Sequence, residues 1–158
     1  MREGDDLSVQ VSLEPPDQPD IQRLFDLSDA VAARLYPGAF RQPLKASGLA
    51  RPGIALFVAR NRQARALGCV ALFDLGDGKA ELKRMIVDPD HARQGVGHSL
   101  LQAVLQEAAS SGFGQVLLEV GIRNVEARRL YQRVGFRDRG PFAAYRQTPI
   151  ATFMQIDL

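Results

Sequence analysis

The 158-residue chain has one cysteine, no tryptophan and only two histidines, His91 and His98. A lone Cys69 cannot close an internal disulfide, and so few cysteines and histidines cannot assemble a zinc cluster, so no metal is expected. An aromatic content of 7% leaves little for a base-stacking surface. No apolar run approaches the roughly 20 residues that span a bilayer, and Met1 to Asp6 carries no apolar signal-peptide core; the expectation is a cytoplasmic protein with no membrane partner. Charge of neither sign dominates. Twenty Lys and Arg stand against 18 Asp and Glu, and the basic residues are scattered singly, which reads as a solvated surface and not as a nucleic-acid-binding run.

With 46% hydrophobic residues, the length suits a single domain, 1–158, with a core of ordinary size. Leu7 to Leu13 alternates as a first strand ended by Pro15-Pro16. Ile21, Leu24, Phe25, Val31, Ala32 and Leu35 recur at helical spacing after Pro19-Asp20, and Pro37-Gly38 should end that helix. Ala39 to Pro52 is weakly periodic and reads as a substrate-facing loop with a short helix, where Arg41 and Lys45 would attract a carboxylate. Ile54 to Ala59 and Ala66 to Phe73 read as an antiparallel hairpin, and Ala80 to Val87 as the next strand. A helical stripe runs from Val96 to Ala109. Gln115 to Ile122 is apolar enough for a central strand. A helix follows from Asn124 as its N-cap, with Glu126 in its first turn. Phe136 to Arg139 and Ile150 to Leu158 would close the sheet.

Two motifs carry chemistry. In the first, Asp88-Pro-Asp-His-Ala-Arg-Gln-Gly-Val-Gly-His98, a glycine-spaced turn joins a strand to a helix. The helix amino terminus offers unpaired N–H groups and partial positive charge, and Gly95 and Gly97 would let phosphate oxygens approach it. His91 and His98 flank the turn as exposed residues. The second motif is Asn124-Val-Glu-Ala-Arg-Arg-Leu-Tyr-Gln-Arg-Val-Gly-Phe136.

In their order and spacing, these motifs resemble the GNAT superfamily of acetyl-coenzyme A-dependent N-acetyltransferases, clearly over about residues 54–158 and loosely before. The resemblance implies an α/β (α+β) acyl-CoA N-acyltransferase fold: a mixed, mostly antiparallel sheet with helices on both faces, splayed where two central strands diverge. It implies acetyl-CoA as cosubstrate, held along Met85, Ile86 and Val87 and by the backbone of Arg93, Gln94, Gly95, Val96, Gly97 and His98. Asn124 would bond the pantetheine arm, and Tyr131 would stand near the sulfur as general acid. The second motif matches N-x-x-A-x-x-L-Y-x-x-x-G-F at every fixed place. The first departs from [QR]-x-x-G-x-[GA] at Ala92, which removes one side-chain contact or moves it to Arg93.

An attacking amine must be neutral, so a carboxylate base is useful. Glu81, on the strand leading into the phosphate turn, is the candidate, and Glu119 its rival. Cys69 lies in an apolar run with no base beside it, as a buried structural thiol does. The expected reaction is therefore direct acetyl transfer in a ternary complex to a primary amine, carried by a small molecule, amino acid or peptide; a homodimer is possible. The alternative is a non-catalytic acyl-CoA-binding or sensing module of the same fold.

Overall fold

The computed structural model describes residues 8–38 and 45–158. Seven strands form one sheet in the order β1-β2-β3-β4-β5-β7-β6. They are β1 (Gln10–Leu13), β2 (Ile54–Arg60), β3 (Ala66–Gly76), β4 (Lys79–Val87), β5 (Gln115–Gly121), β6 (Arg137–Arg139) and β7 (Ala151–Asp157). Every pairing is antiparallel except that of β4 with β5. The single parallel pair follows from connectivity, because α2 (Val96–Ser110) carries the chain back across the sheet between β4 and β5. As the expected fold requires, β5 is central and helices cover both faces.

The two faces bury different residues because side chains alternate along each strand. Ala80, Leu82, Val116, Leu118 and Val120 pack with Leu100, Leu101 and Val104 of α2 and Tyr131 of α3 (Val125–Val134). On the opposite face, Ile21, Leu24 and Phe25 of α1 (Pro19–Leu35) meet Leu56, Val58, Cys69 and Ala71. A smaller cluster of Leu117, Phe142, Ala151 and Phe153 continues that second face beneath the loop joining β6 to β7. The first two turns of the α1 stripe thus enter the core. Its later members, Val31 and Ala32, are half-buried and line a groove instead.

Several boundaries differ from expectation. The first strand begins at Gln10, and Leu7 and Arg41 lie outside the described residues. The short helix expected before Pro52 is a 3-10 turn at Ala46–Leu49. Asn124 does occupy the N-cap of α3, yet its side chain makes no capping bond. Its carbonyl oxygen has a different partner, Tyr36.

One geometric fact opens the molecule for chemistry. Parallel pairing of β4 with β5 runs from Lys79↔Gln115 to Leu82↔Leu118 and then ceases. Beyond it, β4 carries a bulge: three steps from Lys83 to Ile86 face two from Ala71 to Cys69, and Arg84 takes a left-handed φ of 59°. An extra residue bends the strand, and bulges of this kind are common beside active sites.

Candidate active site

Where β4 and β5 part, a groove of about 410 Å3 opens between them, walled by α1 on one side and α3 on the other. Met85, Ile86 and Val87 form its β4 wall, Glu119 and Gly121 its β5 wall, and Asn124 and Tyr131 reach it from the α3 side. Most residues singled out in the sequence therefore converge on one cleft or on the turn that follows β4.

That turn begins at Asp88, whose carboxylate is 2% exposed. It accepts from the Asp90 N–H at 3.0 Å and from Arg23 at 2.8 Å, with Arg65 at 3.5 Å and His91 at 3.9 Å. Burial pushes this carboxyl upward, but the hydrogen bonds from Arg23 and Asp90 and the positive charge of Arg23 outweigh it and hold it below the usual range. Asp88 anchors the start of the turn rigidly. Arg93 and Gly95 then adopt left-handed φ values of 64° and 81° before α2 begins. Among the described residues, none of the backbone N–H groups from Gly95 to His98 has a hydrogen-bond partner. Such a run at a helix amino terminus is suited to phosphate oxygens.

The two glycines have different tasks. A Cβ at Gly95 would meet nothing within 4 Å, so its backbone is open to a ligand. A Cβ at Gly97 would stand 2.7 Å from Leu130 Cδ2 and 3.4 Å from Met85 Cε, so that glycine lets α3 and β4 close on α2. Ala92 and Arg93 are exposed, and the Arg93 guanidinium lies 3.8 Å from Glu126. His98 is exposed on the first turn of α2, as expected.

Tyr131 is 6% exposed and packs edge-on against Phe136, with ring centroids 5.6 Å apart. Its hydroxyl has no hydrogen-bond partner among the described residues, and burial pushes the phenol well above its ordinary range. It is thus a neutral donor at physiological pH.

The two candidate carboxylates are placed differently. Glu119 is exposed on the groove wall. Glu81 is 4% exposed, lies in the paired part of β4 beside Leu117, and accepts a 2.6 Å hydrogen bond from the Tyr145 hydroxyl. Burial and then the Glu81 bond push the Tyr145 phenol upward. Lys83 is 5.1 Å from the Phe73 ring and 5.9 Å from that of Tyr145. Cys69 is fully buried, and burial pushes its thiol up to about 12. Lys45 is exposed beside the 3-10 turn and does not line the groove.

Sequence reasoning missed Tyr145 and Tyr36. Tyr145 sits in a loop without periodicity, and nothing local marks it. Tyr36 ends α1 with its hydroxyl in the β5–α3 turn, donating to Asn124 Oδ1 at 2.7 Å and accepting from the Arg123 N–H at 3.0 Å. Gly121, at the end of an apolar strand, was a usable signal: a glycine there marks a close approach, and any Cβ would overlap the Tyr36 hydroxyl.

Comparison with known proteins agrees with this geometry. A family model described as the Acetyltransferase (GNAT) family matches residues 21–136. An IAA acetyltransferase of Azospirillum brasilense is 35% identical over 94% of this chain and 97% of its own length. An uncharacterised N-acetyltransferase of Bacillus subtilis is 38% identical over 55% of the chain and 59% of its own length. A solved structure from Klebsiella pneumoniae, described as an acyl-CoA N-acyltransferase, superposes with a TM-score of 0.84 at 28% identity, covering 96% of this chain and 99% of that one. No helix among the described residues is long and apolar enough to cross a membrane. A splayed β4–β5 pair, an N–H-lined turn before α2 and these relatives lead to one conclusion: the chain belongs to the GNAT acetyltransferase family and is an acetyl-CoA-dependent acyltransferase.

Proposed function

We propose that this enzyme transfers the acetyl group to a primary amine by direct attack in a ternary complex. The observation that carries the reading is Tyr131, whose ring is buried and whose unpartnered hydroxyl lies on the wall of a groove that continues toward the unpartnered N–H run at 95–98. The chain's residues fit the cosubstrate. The amides of Gly95 to His98 suit its phosphates, the open backbone at Gly95 admits them, and Met85, Ile86, Val87 and the Asn124 amide line the space for the pantetheine arm. Acetyl-CoA supplies the acetyl group and departs as the thiol.

The amine nitrogen bonds to the acetyl carbon and the carbon–sulfur bond breaks; Tyr131 protonates the departing sulfur and recovers the proton that the nitrogen loses on forming the amide. A neutral phenol held in an apolar wall loses little by giving a hydrogen bond to a developing thiolate. Glu81 is the base, drawing a proton from the acceptor ammonium through the Tyr145 hydroxyl or water. Glu119 supports a second reading, because it is the carboxylate on the β5 wall of the groove itself, across from Asp29 of α1. The buried Cys69 thiol supports direct transfer over an acetyl-enzyme: burial raises the cost of thiolate formation, and among the described residues the thiol's hydrogen-bond partner is the Arg84 carbonyl and not a base. The acceptor is a small-molecule or peptide amine.

The test is thiol release from acetyl-CoA across a panel of amines, amino acids and peptides, combined with acid quenching of labelled acetyl-CoA. Release with a primary amine and no label on the protein is expected. Cosubstrate binding without release from any acceptor would sink the amine reading, and labelled Cys69 would sink direct transfer.

A further inference from the structure

We infer that Tyr36 is a positioning residue that fixes the amide of Asn124 so that its NH2 group faces the groove. The inference rests on the acetyl-CoA reading above and adds to it a residue outside both sequence motifs. Its hydrogen-bond arithmetic is closed. The Arg123 backbone N–H donates to the Tyr36 oxygen at 3.0 Å, so the hydroxyl proton needs another acceptor, and Asn124 Oδ1 stands 2.7 Å away. With the amide turned the other way, the Tyr36 proton would have no acceptor, and a half-buried hydroxyl left so costs more than the bond is worth. Asn124 Oδ1 is thereby occupied. Its Nδ2 has no partner among the described residues, and Asn124 lines the groove. The outcome is a donor preset for a carbonyl acceptor such as an amide of the pantetheine arm.

Three further contacts hold Tyr36 in this place. Gly121 leaves room for the hydroxyl, which a Cβ would overlap. The Arg123 guanidinium lies 5.5 Å from the Tyr36 ring and donates to the Leu35 carbonyl at 2.7 Å, so one residue clasps the end of α1 from two sides. Tyr36 itself is buried. Fixing an amide before ligand arrives removes a rotamer cost that binding would otherwise bear.

The experiment titrates wild type, Tyr36→Phe, Asn124→Asp and the double variant with two probes: acetyl-CoA, and adenosine 3′-phosphate 5′-diphosphate, which lacks the pantetheine arm. Phe keeps the ring and its Arg123 contact. Asp keeps the acceptor for Tyr36 but has no NH2. Each single variant is expected to bind acetyl-CoA roughly 5- to 10-fold more weakly, the size of one neutral hydrogen bond, and the nucleotide unchanged. The double variant should bind no more weakly than Asn124→Asp alone. Unchanged acetyl-CoA affinity in Tyr36→Phe, equal losses for both probes, or losses that multiply in the double variant would each overturn the assignment. Failure of the wild type to bind acetyl-CoA would instead remove the reading beneath it.

Discussion

The Tyr145 hydroxyl donates to Glu81 Oε2 at 2.6 Å, tying the loop between β6 and β7 to the middle of β4. If these two side chains move the acceptor proton together, their effects do not add. Glu81→Gln should lower turnover roughly 10²- to 10³-fold and Tyr145→Phe about 10-fold, while the double variant falls no further than Glu81→Gln. Steady-state rates on one acceptor decide this. An unimpaired Glu81→Gln beside a crippled Glu119→Gln would transfer the base to Glu119.

Removing the Tyr131 hydroxyl should slow chemistry and leave the cosubstrate in place. Tyr131→Phe is expected to lose roughly 10²- to 10⁴-fold in turnover with little change in acetyl-CoA affinity. Because burial raises this phenol above its ordinary value of about 10, it stays protonated through neutral and mildly alkaline pH. The wild-type rate should therefore show no alkaline loss from Tyr131 below about pH 10. A full rate in the Phe variant removes it from the acid role.

The glycines of the phosphate turn separate into a ligand effect and a packing effect. Gly97→Ala forces a Cβ to 2.7 Å from Leu130 Cδ2, a crowding expected to cost about 1–3 kcal/mol. Leu130→Ala should recover part of that loss by making room, which thermal denaturation of the double variant measures. Gly95→Ala meets no atom but must hold a φ of 81°, at a strain of about 1 kcal/mol, and it narrows the open approach to the turn. Its larger effect should be on acetyl-CoA affinity. The reverse assignment, stability lost at Gly95 and affinity at Gly97, would contradict the structure.

Asp88 makes stability depend on acid. Its folded carboxyl lies below the ordinary 3.8, so its contribution is fully present above that value and is lost as pH falls through the lower, folded one. Asp88→Asn should destabilise the protein at pH 7 by about 1–3 kcal/mol, because the buried site loses a charge-assisted bond to Arg23. The variant's stability should also fall less steeply below pH 4. Urea denaturation at pH 7 and at pH 3.5 checks both, and parallel acid dependence in the two proteins would exclude Asp88 as a source.

What the sequence determined by itself was local. The short apolar runs at Ile54 to Ala59, Ala80 to Val87 and Gln115 to Ile122 marked strands, and the α1 stripe from Ile21 marked a helix, because each records which side chains a single element must bury. The Gly95 turn and the N-x-x-A-x-x-L-Y spacing were legible for the same reason: each lies within one turn or one helix. Only tertiary structure decided that Gly97 accommodates Leu130, that Glu119 faces the groove while Glu81 is capped by Tyr145, and that Tyr36 orients Asn124. The last two contacts span 64 and 88 residues of sequence. No periodicity encodes them, because they depend on where the packed sheet carries two distant segments and not on what either segment prefers alone.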